Sequence, residues 1–167
     1  SIRLTSGADA PQCHPHKSYR TKDALNMIHA IALSAHLLAA IIWVGGMFFA
    51  YMALRPSMPV LSPPDPVKLW GRVFYNFFNW VWLSIIVLVI TGYWMLLAVY
   101  GGFALAPAYL HIMHGLGLVM IALYLHLFFA PYGRLKKALA TDDFPAAAAQ
   151  IPTIRRIVAI NLLIGLA

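Results

Sequence analysis

Residues 24–54 read ALNMIHAIALSAHLLAAIIWVGGMFFAYMAL. No Asp, Glu, Lys or Arg interrupts them, and the run exceeds the roughly 20 apolar residues that carry a helix across a hydrocarbon core. The stretch therefore reads as a membrane helix. In its middle stands His36, followed by Trp43, Gly45 and Gly46. An ionisable side chain inside a bilayer is costly, usually faces the protein interior and usually marks function.

The rest of the chain repeats the pattern. It is 62% hydrophobic and 10% charged, with mean hydropathy +0.76, which excludes a soluble domain able to cover its own surface with polar groups. The spacing predicts an all-α, polytopic transmembrane four-helix bundle with spans at about 27–54, 73–100, 107–130 and 153–167. Pro107 is expected in the first turn of the third span. At 1.5 Å per residue the fourth stretch reaches only about 22 Å, so it is expected to be a truncated span. The Pro-rich segment Arg55 to Pro66 is expected to be extended, and Leu135 to Gln150 to form a short surface helix broken at Pro145.

Lys and Arg number 12 against 5 acidic residues, all Asp. In a membrane protein that excess marks loops held on the cytoplasmic side rather than a nucleic-acid surface. The loop after the first span carries Arg55, Lys68 and Arg72; the loop after the third carries Arg134, Lys136, Lys137, Arg155 and Arg156. The Gly101-Gly102 connection carries none, so the N-terminus is expected outside, in a bacterial inner membrane. Residues 1–26 read as a polar tail, native or an expression remnant, with no apolar stretch of a signal peptide. The lone Cys13 allows no internal disulfide, and Cys13-His14-Pro15-His16 is a weak soft-metal pattern.

The remaining histidines give His36 its candidate partners. In the expected topology the first and third spans run the same way, so equal distances from their starts mean equal depths. His36 lies roughly 13 Å in from Met27 and His114 roughly 10 Å in from Pro107; His111 is about one turn shallower. His29 stands near the outer surface on the His36 stripe, and His126 lies about 22 Å beyond His111, too deep to share its ligand. Imidazoles from two helices at one depth suit the axial positions of a haem b. Ala32, Ala35, Ala39, Ala40, Gly115 and Gly117 supply the small residues that a porphyrin between helices requires. The plainer reading of His36 is an interhelical hydrogen bond to a Ser, Thr or Asn.

The stretch His36-Leu37-Leu38-Ala39-Ala40-Ile41-Ile42-Trp43-Val44-Gly45-Gly46 resembles the signature of the copper resistance protein D (CopD) family of bacterial membrane proteins. Leu54-Arg55-Pro56, Thr91-Gly92-Tyr93-Trp94, Tyr109-Leu110-His111 and the run from Ile154 to Asn161 extend the likeness over about Met27 to Ala167. The His-x6-Trp-x-x-Gly pattern and the Leu-His pair also resemble HemJ-type protoporphyrinogen oxidases, four-helix membrane proteins that bind haem b. That second resemblance implies His36 and His111 as matched positions, and this chain departs from it at Met113, where those proteins carry lysine.

The leading expectation is a haem b electron-transfer protein. His36 is one axial ligand, His111 or His114 the other, and Trp43 packs beneath the ring. A quinone or another redox protein is the expected electron partner, the lipid bilayer the solvent, and a homo-oligomer a compatible state. One alternative is a copper or other metal permease that uses His29, His36 and His111, with Met113 or His114 as a further donor. Another is a HemJ-like oxidase, which would make the chain a membrane oxidoreductase.

Overall fold

The structure, a computed structural model, describes residues 16–167, with side chains from Lys22 onward. The Cys13-His14-Pro15-His16 pattern lies outside the described side chains. Five helices carry the fold: α1 (His16–Phe49), α2 (Asp65–Tyr100), α3 (Ala108–Phe129), α4 (Pro131–Ala140) and α5 (Phe144–Leu166). Four helical segments, Lys22–Val60, Asp65–Tyr100, Ala108–Ala140 and Phe144–Leu166, are long and apolar enough to cross a membrane. Only 17–22% of each apolar window is buried, so most of the apolar surface faces outward, as lipid-facing helices require. The chain is an all-α, four-span membrane fold.

Several boundaries differ from expectation, each for a local reason. Helix α1 begins at His16 rather than Met27, because no proline or glycine breaks the polar residues ahead of the apolar run. The Arg55–Pro66 segment is mostly helical rather than extended. Arg55–Ser57 is α-helical and Met58–Val60 is a 3-10 turn, each with proline in its first turn, where no N–H is needed. Ahead of Pro56 the chain widens into a π-turn, Ala50–Leu54, with the Arg55 N–H donating to Ala50 O. That wider register relieves the clash a proline ring makes with the carbonyl four residues back.

Pro145 likewise starts a helix rather than breaking one. The Asp143 carboxylate accepts from the Ala146 N–H at 3.0 Å and caps α5, so that helix begins at Phe144, well ahead of Thr153. Pro107 stands just before α3, not inside it. Helix α2 ends at Gly101 in the left-handed region (φ 70), and the Gly102 N–H donates back to Leu96 O at 3.1 Å.

Helix α1 packs along α2, α3 packs along α5, and α5 also touches α1 and α4. The core lies toward the end of the molecule that carries Arg55, Lys68, Arg72, Arg134, Lys136 and Lys137. There Trp70, Phe74 and Phe78 stack one turn apart on α2, with ring centroids 5.0 and 5.4 Å apart. Phe78 is met edge-on by Tyr132 at 4.7 Å and by Tyr124 at 5.6 Å, and the Tyr124 hydroxyl donates to Phe78 O at 3.1 Å. These large rings bridge α2 and α3. Gly46 lets α1 close on Phe77, since a Cβ there would overlap the ring.

Candidate functional site

The opposite end of the bundle holds the histidines. No residue of α3 before Met120 is buried, in contrast to Met120, Tyr124 and Leu127 farther along the same helix. Large apolar side chains here, such as Leu37, Ile90, Leu97 and Ile112, are exposed rather than packed between helices.

The most defined contact belongs to His36. Its Nδ1 lies 2.8 Å from Thr91 Oγ1 on α2, and Thr91 Oγ1 lies 2.6 Å from Val87 O within its own helix. A threonine hydroxyl carries a single proton, and the Val87 carbonyl can only accept. The hydroxyl therefore donates to Val87, and His36 Nδ1–H must donate to Thr91. This assignment from the hydrogen-bond network puts the proton of the neutral imidazole on Nδ1 and its free lone pair on Nε2. The plainer expectation for His36, an interhelical hydrogen bond, is thus present, and it has the form that orients an imidazole for metal ligation.

Gly92 completes the seat. A Cβ there would stand 3.3 Å from His36 Cε1 and 3.8 Å from Nδ1, so the imidazole rests against bare α2 backbone.

His114 meets the same helix at the next residue. Its Nε2 lies 3.5 Å from the Tyr93 hydroxyl, and the two rings meet edge-on at 5.4 Å. Phe103, from the 3-10 turn after Gly102, packs on His114 at 5.1 Å and on His111 at 5.9 Å. His111, His114, Tyr93 and Phe103 thus form one aromatic group at the mouth of the α2–α3 connection. His29 is half-buried and its Nδ1 has no hydrogen-bond partner. His126 is exposed on the far part of α3.

Trp43 belongs to the packed core: it is 4% exposed and meets Tyr124 edge-on at 6.2 Å. Among the described residues, no three His, Cys, Asp or Glu side chains converge as a metal-binding group. His29, His36, His111 and His114 are therefore not gathered into one set of ligands. His36 is held on Thr91–Gly92, and the α3 pair on Tyr93 and Phe103.

Sequence reasoning places Thr91 and Tyr93 only in a family-like stretch and gives neither them nor Phe103 a role at the site. A depth comparison between the first and second spans, which run antiparallel, held the signal that pairs Thr91 with His36.

The molecule is thus a four-span helical membrane protein with a polar imidazole end and an aromatic, basic end. It belongs to the copper resistance protein D (CopD) family, whose family model matches residues 71–167, more than half of the chain. The match includes Thr91, Gly92, His111 and His114; the His36-to-Gly46 stretch precedes it. No curated protein and no solved structure matches this chain.

Proposed function

We propose that this protein handles copper as cargo in a bacterial inner membrane, with His36 Nε2 as the principal donor atom. The observation that carries the reading is the Val87–Thr91–His36 hydrogen-bond chain, which holds the proton of the neutral imidazole on Nδ1 and so leaves its lone pair on Nε2. Membership of a copper resistance family supplies the metal. Imidazole suits copper, and no carboxylate occurs from Ala24 to Leu54 or from Val73 to Tyr132 to favour a harder cation. His111 and His114 offer further donors at the same end of the molecule. The excess of Lys and Arg at the opposite end supports placing that end in the cytoplasm, with the imidazoles toward the outside.

A second reading is a haem b protein, as the HemJ-type resemblance implies. One observation favours it: Gly115 and Gly117 have open space beside them on α3, so a planar group has room there. His36 fits one axial ligand. The α3 imidazoles pack on Tyr93 and Phe103, so the chain's residues fit haem only in part and no redox step is derived.

One preparation separates the readings. The full chain is purified in neutral detergent, loaded with copper and assayed for bound metal, and its absorption spectrum is recorded oxidised and dithionite-reduced. Stoichiometric copper that is lost in His36→Ala, with no reduced α band, supports the first reading. A reduced α band lost in the same variant moves the assignment to haem. Copper binding unchanged in His36→Ala overturns the role of His36.

A further inference from the structure

The basic end holds a second site, unrelated to the histidines. Where α1 leaves its regular course, the π-turn Ala50–Leu54 brings Tyr51 to face α5. Tyr51, Pro152, Arg155, Arg156 and Ala159 line a cavity of about 300 Å³. A smaller hollow beside it shares Tyr51 and Arg155 and adds Arg55 to the wall. The Arg55 guanidinium lies over the Tyr51 ring, 5.0 Å from its centroid. Three arginines therefore line the two adjoining hollows that share Tyr51.

Nothing in the walls neutralises them. No carboxylate lines either hollow. Arg155 Nε is buried and has no hydrogen-bond partner. A buried charged donor left unpaired is costly, and three like charges lining two adjoining hollows that share Arg155 repel each other. Both penalties vanish when an anion with several acceptor oxygens enters. Planar guanidinium forks match phosphate better than any other protein group does.

The position selects the source of that phosphate. Immediately beyond Arg156 the helix becomes apolar, from Ile157 to Ala167 with Asn161 as the one polar side chain, so the arginines mark the border of the hydrocarbon region. Pro152 and Ala159 give the cavity apolar walls beside its charged ones. Basic pockets between membrane helices at that border hold anionic lipid headgroups.

We propose that Arg55, Arg155 and Arg156, grouped around Tyr51, form a binding site for the phosphate of an anionic phospholipid. Such a lipid ties the end of α1 to α5, two elements joined here by few direct contacts.

The test uses the full chain in neutral detergent, followed by thermal unfolding and by native mass spectrometry of retained lipid. Phosphatidylglycerol, phosphatidylcholine and inorganic phosphate are the three probes. Phosphatidylglycerol is expected to bind saturably and raise the unfolding temperature, with phosphatidylcholine and inorganic phosphate at least tenfold weaker. Arg155→Gln/Arg156→Gln is expected to weaken phosphatidylglycerol at least tenfold. Lys136→Gln/Lys137→Gln, which removes the same charge elsewhere, is expected to leave it within twofold. Arg155→Lys keeps the charge and loses the fork; a several-fold weakening is expected, and this variant remains informative if the double variant does not fold. Equal losses in the arginine and lysine pairs would overturn the site in favour of diffuse attraction. Protection by inorganic phosphate equal to that by the lipid would overturn the lipid assignment.

Discussion

Replacing Thr91 with valine tests the candidate copper site without touching a proposed ligand. Valine matches threonine in shape but removes the acceptor that lies 2.8 Å from His36 Nδ1. Interhelical hydrogen bonds in membranes contribute about 0.6 kcal/mol on average and at most about 1.7. An unsatisfied buried donor costs about 1–3 kcal/mol. His36 is half-buried, so the expected loss of stability is about 1 kcal/mol, read from detergent unfolding curves. The effect on metal is larger in proportion. Loss of the group that orients a ligating imidazole costs about 10–100-fold in affinity, because the ring turns and its tautomer is no longer fixed. Copper affinity is measured by competition with a chromophoric chelator for wild type, Thr91→Val and Thr91→Ser. The serine variant keeps the hydroxyl and should bind within a few-fold of wild type. If Thr91→Val binds copper as wild type does while His36→Ala does not, Thr91 has no positioning role and the tautomer argument fails.

Other outcomes follow from the same contacts. Gly92→Val should push the imidazole off α2 and weaken copper binding by an amount similar to Thr91→Val, since a Cβ alone already comes within 3.3 Å of His36 Cε1; unchanged affinity would show that the ring is free to move. Gly46→Leu should destabilise the fold by about 1–3 kcal/mol by overpacking against Phe77, with metal affinity in the surviving folded fraction unaltered. Tyr124→Phe, which deletes the hydrogen bond to Phe78 O, should cost about 0.5–1.5 kcal/mol in unfolding and leave the spectrum and metal content as they were. His126→Ala should match wild type in copper binding, because its side chain is exposed away from the other imidazoles; a loss there would relocate the site.

The spans were legible because the bilayer imposes one strong rule, a long run without charge, and residues 24–54 and 73–100 obey it throughout. Helix ends were less so. Arg155 and Arg156 drew the expected boundary of the last helix to Thr153, yet a helix continues through charged residues wherever its cap allows. Here the cap is Asp143, ten residues before the expected start of the span at Thr153. The prolines misled for a related reason: Pro66 and Pro145 stand in first turns, where the missing N–H costs nothing, and Pro56 follows a π-turn that makes room for its ring. At the site, composition singled out His36 by its depth. It did not single out Thr91, because a hydroxyl that can satisfy itself on its own helix gives no sign of also accepting from another.

The uneven packing of the two ends explains why so few contacts define the imidazole site. At the basic end the rings of Trp70, Phe74, Phe78, Tyr124 and Tyr132 interlock, and losing one polar contact there leaves many apolar ones in place. At the imidazole end α1 offers Ala32, Ala35 and Ala39, too small to lock a neighbouring ring, and the early turns of α3 bury nothing. His36 is held by one hydrogen bond and one glycine. That arrangement orients the imidazole without packing a large ring against it, which suits the proposed exchange of a metal ion at Nε2. A densely packed aromatic wall around His36 would stabilise the helix pair more and close the nitrogen off. Filling Ala32 and Ala35 with leucine should therefore raise stability and slow copper uptake together, and a rise in stability with unchanged uptake would place the metal's route elsewhere.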